Sequence, residues 1–343
     1  MTKAPTSPPE SHWLGFDLGG SKMYAQAYDS QFRALGSRRT RTKGHGNASK
    51  GLEHILKTIH RALEDAELTA DQISGIGFGY PGAVNMATGE VSDAVNLGWS
   101  DVPLREAIEK EFQCPVSIAN DVDLGVYGEY CFGAARKSRC VLGVFPGTGI
   151  GGGCVYQGEI LHGQNSTCME IGHIQVNPHG RLCGCGRHGC LEAEAGRLAI
   201  ASEAAMAAHR GQAPHLLEKA GADLRNIRSS ALASSVAAGD KAIEKIVRNA
   251  AEKIGRAVAN MTLLLCPDTI VLGGGVVEAM SDIFLETVWE TARTTTLPSF
   301  ADSFQVKIAE LGDDAAVMGA AAWAMRAASA HKNAEPSRPL EPA

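Results

Sequence analysis

Two stretches with one layout stand more than a hundred residues apart, and they constrain the fold more than anything else in the chain. Residues 13–29, WLGFDLGGSKMYAQAYD, read as strand, glycine turn, strand: Leu14 and Phe16 alternate before the turn, and Tyr24, Gln26 and Tyr28 after it. Residues 140–156, CVLGVFPGTGIGGGCVY, repeat the layout around a Gly-Thr-Gly turn. Such a repeat predicts a duplicated α/β architecture with one glycine turn in each of two lobes. A third turn lies in TIVLGGGVV, residues 269–277, a buried strand that runs into a glycine triplet and then a helix. Glycine there lets backbone N–H groups approach phosphate oxygens with no Cβ in the way. Tight hairpins need glycine for their own geometry, so no single turn is diagnostic. None matches the Walker A pattern, and GTGIGGG is not followed as a dinucleotide fingerprint is. All three in order, with acids at Asp17 and Asp121, favour a nucleotide gripped between two lobes. Asp17, ahead of the first turn, can hold Mg2+ through water, and Thr148, in the second, can donate to a terminal phosphate.

The segments between the turns supply the rest of an α/β fold. Residues 31–43 continue extended, with Arg38, Arg39, Arg41 and Lys43 on a solvated face. In residues 49–68, Leu52, Ile55, Leu56, Ile59 and Leu63 fall at the spacing of one buried helical stripe. Residues 73–84, ISGIGFGYPGAV, are a buried strand ending in a Pro-Gly turn; 102–112 are a helix and 115–119 a strand. Asn120 and Asp121 open the next helix, to about residue 132, where either side chain would serve simply as an N-cap. Helices follow at about 194–209, 213–220, 229–238 and 240–265, and a last Ala-rich one at 313–330. These give a tail at 1–11, an N-terminal lobe of 12–133 plus 313–330, a C-terminal lobe of 134–312, and a tail at 331–343.

One stretch of the second lobe calls for a metal. Residues 170–192, EIGHIQVNPHGRLCGCGRHGCLE, hold His173, Cys183, Cys185 and Cys190, with Gly184, Gly186 and Gly189 among the thiols. Thiolate and imidazole are the ligands that structural Zn2+ takes, four at a time, and filling all four positions from protein marks a structural site. Ordinary buried thiols would account for a lone CxC, but not for three Cys within eight residues beside a His. His179 and His188 are rival nitrogen ligands, ranked below His173. Glu170 and Glu192 flank the set, so closing the loop on a metal would gather two acids and a His edge.

The other six cysteines, Cys114, Cys131, Cys140, Cys154, Cys168 and Cys266, lie among apolar residues and read as small buried hydrophobes, not a disulfide framework. A net charge of −6 argues against a broad basic face for nucleic acid. No apolar run approaches a membrane span and no signal peptide is evident, so a reduced cytoplasm is the expected compartment.

FDLGGSK, GYPGAV, NLGW (96–99), IANDVD, GTGIGGG, EIGH, CGCGRHGCLE and IVLGGGVV occur in an order and spacing that resemble the ROK family of bacterial sugar kinases and repressors, in the actin–hexokinase superfamily. The resemblance covers about residues 13–328. It implies a two-lobed fold with a cleft between the lobes, and an ATP-dependent kinase of a hexose 6-hydroxyl. It makes Asp121 the catalytic base. Gly82, Asn120, Asp121, Glu170, His173 and Glu192 would hold the sugar. Asp17, Gly19, Gly20, Ser21 and Lys22, with Gly147, Thr148 and Gly149, would hold the ATP phosphates, and Gly273, Gly274 and Gly275 would lie near the adenosine. His173, Cys183, Cys185 and Cys190 would bind structural Zn2+, and a homodimer is implied. The chain departs from the family pattern at Cys168 and Met169, usually Ala-Gly, and at Asp123, Ser21 and Pro146; the bulk before EIGH predicts a tighter pocket wall.

Glucose is the expected acceptor, with fructose, mannose, N-acetylmannosamine and N-acetylglucosamine as alternatives, and polyphosphate as an alternative donor. A sugar-responsive repressor is the competing class. The first phosphate turn begins by Asp17, which leaves no room ahead of it for a DNA-binding module, and the charge is negative. A binding protein that has lost activity is disfavoured by the intact Asp17, Asp121 and glycine turns.

Overall fold

The computed structural model describes residues 11–42, 47–86, 88–91, 98–99, 102–163 and 168–333. The expected tails fall almost wholly outside these residues, as does part of the NLGW segment. The chain divides into two compact units: Met1–Cys131 with His162–Thr167 and Asp313–Ala343, and Phe132–Leu161 with Cys168–Gly312.

The first unit is built on a five-stranded sheet in the order β3-β2-β1-β4-β5, where β1 is His12–Leu18, β2 Lys22–Tyr28, β3 Ala34–Arg41, β4 Ile73–Tyr80 and β5 Val116–Asn120. β1–β3 form an antiparallel meander, and β4 and β5 add in parallel on the other side of β1. The period of two buries β1 on both faces. Leu14, Phe16 and Leu18 share a core with Ile55, Ile59 and Leu63 of the helix Ala48–Asp65. Phe16 stacks on Phe78 with centroids 4.7 Å apart, a pairing worth about 0.5–1.5 kcal/mol beyond its area. Trp13, on the opposite face, packs with Ala321 and Ala324 of the helix Ala315–Asn333. Two glycines let that helix lie directly on the sheet: a Cβ on Gly15 would stand 1.8 Å from the Val317 carbonyl oxygen, and one on Gly77 1.8 Å from that of Ala320.

The second unit repeats the plan. Its sheet runs β10-β9-β6-β7-β8, with β6 Cys140–Pro146, β7 Ile150–Tyr156, β8 Glu159–Ile160, β9 Thr269–Leu272 and β10 Gln305–Ile308. β6–β8 are antiparallel, and β9 and β10 add in parallel beyond β6. Read outward from its first strand, each sheet has one and the same order, so the repeat seen in the sequence is a repeat of topology. The helix Lys241–Leu265 covers this sheet through Ile243, Val247, Ala250, Ile254 and Val258. Three local expectations change. The 194–209 helix is two, Leu191–Ala195 and Arg197–His209, parted at Gly196. β10 is a strand that the sequence pattern did not announce. Cys266 is exposed rather than buried, because it caps the Lys241–Leu265 helix in a left-handed conformation.

Candidate functional site

In the first unit the candidate acids share one end of the sheet. Asp17 of β1 pairs with Gly79 of β4, and Gly79 with Ala119 of β5. Asp17 and Asp121 therefore project from the carboxyl ends of strands two apart, about 10 Å at ordinary strand spacing. Such strand ends are where α/β sheets bind ligands. Gly79 admits this: a Cβ there would already touch the Asp121 Cα at 3.5 Å and the Phe16 carbonyl oxygen at 3.3 Å.

The capping role raised by the sequence belongs to Asn120. Its Oδ1 accepts from the N–H groups of Val122 and Asp123 at 2.9 and 3.2 Å, and its Nδ2 donates to the Gly82 carbonyl at 3.1 Å. Asp121 is thus the first residue of the helix Asp121–Cys131, half-buried, with Oδ1 3.0 Å from the Val122 N–H. Its carboxylate sits at the positive end of that helix.

The first glycine turn is closed by Gly19 N–H donating to the Lys22 carbonyl at 2.9 Å, and by the Thr42 hydroxyl donating to the Gly19 carbonyl at 2.6 Å. Lys22 Nζ lies 2.9 Å from both carboxylate oxygens of Asp313, and Arg39 bonds Asp313 and Asp314 at 3.1 Å. Burial pushes the Asp17 carboxyl up from its ordinary 3.8 to about 6, with Lys22 opposing and Asp313 adding to the rise. Asp313 itself is held below the usual range, first by its bond to Lys22.

In the second unit the loop closes as its composition required. The chain folds back through bridges Leu182–His188 and Gln175–Cys190. Cys183 N–H donates to the Arg187 carbonyl at 2.8 Å, and Gly186 turns the hairpin at φ +83°. Gly189, at φ +71°, passes so near Asn177 that a Cβ would stand 1.5 Å from its carbonyl oxygen. The ligand atoms of His173, Cys183, Cys185 and Cys190 all lie within 4.8 Å of one another. Cys183 Sγ is 3.6 Å from His173 Nδ1, and Cys185 Sγ is 3.6 Å from Cys190 Sγ. A tetrahedral zinc with ordinary bond lengths would have edges of about 3.6 Å between sulfur and nitrogen and about 3.8 Å between sulfurs. The donor set fits the ion in kind and in spacing. The nitrogen gathered with the three thiols is that of His173, whereas His188 turns its Nδ1 to the Gly180 carbonyl oxygen at 3.1 Å. The backbone N–H and then the side chain of Arg187 draw the Cys185 thiol down to about 6, whereas burial pushes Cys190 up to about 11.

Glu192 joins this hairpin to the second glycine turn. Its Oε2 accepts from the Ile150 N–H at 3.1 Å and its Oε1 is 3.8 Å from Cys183 Sγ. Gly149 makes the approach possible, since a Cβ there would lie 2.1 Å from Oε2. Glu170 is exposed and opens the short turn Ile171–His173, which packs on β7: a Cβ on Gly172 would stand 2.0 Å from the Ile150 carbonyl oxygen. Met169 takes φ +63°, a conformation that costs a non-glycine residue about 1 kcal/mol or more. Its side chain packs against the core of the unit.

The second turn and the glycine triplet also meet. Gly274, at φ +85°, would carry its Cβ 2.5 Å from the Pro146 carbonyl oxygen. Gly275 lines a cavity of about 1060 Å³ with Leu198, Arg228, Ser229 and Glu278. Arg197 lines it too, and its Nη2 donates to Thr148 Oγ1 at 3.1 Å. Arg197 was not foreseen. A single Arg after a glycine carries no sequence signal, save that a cation at the first turn of a helix opposes the helix dipole.

The family model described as "ROK family" matches residues 13–327. A glucokinase of Halalkalibacterium halodurans is 33% identical over 311 residues, 90% of this chain and 93% of that protein. The crystal structure of a ROK family glucokinase from Streptomyces griseus in complex with glucose and AMPPNP superposes with a TM-score of 0.80 at 29% identity, covering 92% of this chain and 99% of that one. A xylose repressor of Caldicellulosiruptor bescii is 26% identical over 306 residues, 89% of this chain and 76% of that protein.

Proposed function

The chain belongs to the ROK family, and on that premise we propose that it is an ATP-dependent sugar kinase that phosphorylates the 6-hydroxyl of an aldohexose, glucose first. What carries the proposal is the strand end shared by Asp17 and Asp121, with the first glycine turn beside it. Phosphoryl transfer needs a base for the acceptor hydroxyl, backbone donors for the phosphates and a divalent cation, and these residues are of the types that supply them. The similarity to glucokinases over nine-tenths of the chain favours glucose over the other hexoses.

In this mechanism Asp121 accepts the proton of the 6-hydroxyl as its oxygen attacks the terminal phosphorus. The cap made by Asn120 leaves Asp121 at the helix start, oriented for that role. Gly82, Asn120, Glu170, His173 and Glu192 hold the remaining hydroxyls; paired acceptors discriminate well because an unmatched buried group is costly. Gly19, Gly20, Ser21, Lys22, Gly147, Thr148 and Gly149 hold phosphate oxygens, and the cavity at Gly275 takes the adenosine. Asp17 would hold Mg2+ through water, an ion that neutralises charge on the phosphates when bound. His173, Cys183, Cys185 and Cys190 would hold Zn2+, which supplies folding free energy and no chemistry. With Nδ1 turned to the cysteines, His173 presents Nε2 to a sugar hydroxyl, the tautomer fixed by its other nitrogen.

The test is ADP release from ATP against a panel of glucose, fructose, mannose, N-acetylmannosamine and N-acetylglucosamine. Glucose should give the highest kcat/KM. If no sugar on the panel stimulates ADP release, and polyphosphate does not replace ATP, the proposed reaction is wrong. Light scattering on the same preparation tests the dimer, which we carry over from the family.

A further inference from the structure

We propose that Arg197 is a positioning residue for the terminal phosphate of the donor, acting through Thr148 and setting triphosphates apart from shorter nucleotides. The assignment rests on the kinase reading, which it deepens by naming what holds the second glycine turn in its phosphate-facing shape.

Arg197 binds that turn twice. Its backbone N–H donates to the Gly147 carbonyl at 3.1 Å, and its guanidinium donates to Thr148 Oγ1 at 3.1 Å. The second bond decides what Thr148 can do. A guanidinium has donors and no acceptor, so the Thr148 hydroxyl must be the acceptor in this pair. Its own proton is thereby turned away from Arg197 and is left to donate elsewhere. A hydroxyl that is pre-oriented as a donor, on a turn whose glycines bare the backbone, suits the oxygen of a phosphate.

Two further observations set Arg197 apart from a chance surface contact. It is the first residue of the helix Arg197–His209, where a cation gains nothing from the helix and opposes its dipole. Yet the residue also lines the 1060 Å³ cavity that Gly275 lines. Gly274 abuts Pro146, immediately before the turn. One side chain therefore spans from the cavity that would take a nucleoside to the turn that would take its outermost phosphate. Arg225 and Arg228 line the cavity as well. Arg225 is tied instead to Asp223 at 2.7 Å.

Calorimetric titration of wild type, Arg197→Gln, Arg197→Lys, Thr148→Val and the double variant Arg197→Gln/Thr148→Val, with AMPPNP and with AMP, tests this. Loss of a charge-assisted bond should weaken AMPPNP on the order of tenfold in Arg197→Gln, with AMP weakened by much less. Arg197→Lys should recover part of the loss. The double variant should be no worse than the poorer single variant, because both act on one hydroxyl. Should Arg197→Gln fail to fold, Thr148→Val and Arg197→Lys still carry the comparison. Unchanged AMPPNP affinity, an equal loss for AMP, or additive losses in the double variant would overturn the assignment while leaving the kinase reaction intact. Conversely, a wild type that binds AMPPNP but turns over no sugar would refute the reaction and leave the role of Arg197 to be judged on binding alone.

Discussion

Replacing Gly149 by Ala separates a glycine kept for function from one kept for the fold. The new Cβ would stand 2.1 Å from Glu192 Oε2 and 2.8 Å from its Cδ. Ordinary contact requires about 3.5 Å, so the carboxylate must retreat by about 1 Å or more. It is the far end of a flexible side chain, and the backbone of Gly149 needs no left-handed conformation, so the fold survives. The retreat breaks the bond from the Ile150 N–H, which stands at 3.1 Å; a bond to a charged group contributes about 1.5–3 kcal/mol. A sugar acceptor misplaced by about 1 Å costs on the order of 10²-fold in turnover. The expected result is a kcat/KM for glucose lower by that factor, a weaker glucose affinity by calorimetry in the absence of ATP, and a small fall in Tm. Gly15→Ala is the contrast, because its Cβ meets a backbone oxygen at 1.8 Å and the chain should not fold to native stability. The assays are coupled ADP release, glucose titration and thermal denaturation. Wild-type glucose kinetics in Gly149→Ala would refute the placement of Glu192 as a sugar acceptor held by this turn.

Three further outcomes follow from the same geometry. Asp121→Asn should lower kcat by about 10²–10⁴-fold, the usual worth of a positioned base, with glucose affinity by calorimetry largely kept. Removing metal with a chelator should release zinc and lower both Tm and glucose affinity, because the hairpin loses its folding free energy; a metal-free protein with unchanged melting and kinetics would contradict the site. Asp17→Asn should abolish activity yet raise Tm near pH 7.5 in buffer free of nucleotide and divalent cations. The folded carboxyl is pushed up to about 6 from 3.8, so the folded state binds more protons between those values. Stability then falls as pH rises through that window, and the full cost, at most about 3 kcal/mol, is present above it. The gain in Tm should shrink as pH is lowered toward 4, and a gain independent of pH would argue against a buried charge as its source.

Much of this was legible because it rests on local rules. Alternation around Asp17 and around Gly147 marks strand, turn, strand, and the sheets repeat one order. The thiol spacing points to the candidate metal cluster, because few other arrangements need a His, three Cys and interleaved glycines so close in the chain. What could not be read depends on long-range approach. That His173, rather than His188, lies with the three thiols is a matter of where the folded hairpin places each ring. The contact of Glu192 with Gly149 and the bond from Arg197 to Thr148 join residues whose separation or side-chain direction no periodicity encodes. β10, at four residues and only half-buried, gives too short a pattern to register. Met169, expected to thicken a pocket wall, takes a left-handed backbone and packs partly buried against the core of its unit.

The repeated topology also shows why two similar turns are not equivalent. In the first sheet the acid beside the turn is part of the strand: Asp17 is the next-to-last residue of β1, and Lys22, which opens β2, is answered by Asp313. In the second sheet the matching strand ends in Phe145 and Pro146, which bring no charge, and the carboxylate reaches the turn from elsewhere. Glu192, one residue into the helix after Cys190, accepts the N–H that opens β7. A strand residue is held by the ladder of the sheet, so Asp17 needs no outside support. Glu192 stands two residues after Cys190, and a metal held by His173, Cys183, Cys185 and Cys190 would brace the segment that leads into its helix. On this view the hairpin brings an acid to a turn whose own strand supplies none, and chelation should change sugar recognition before it changes the sheet.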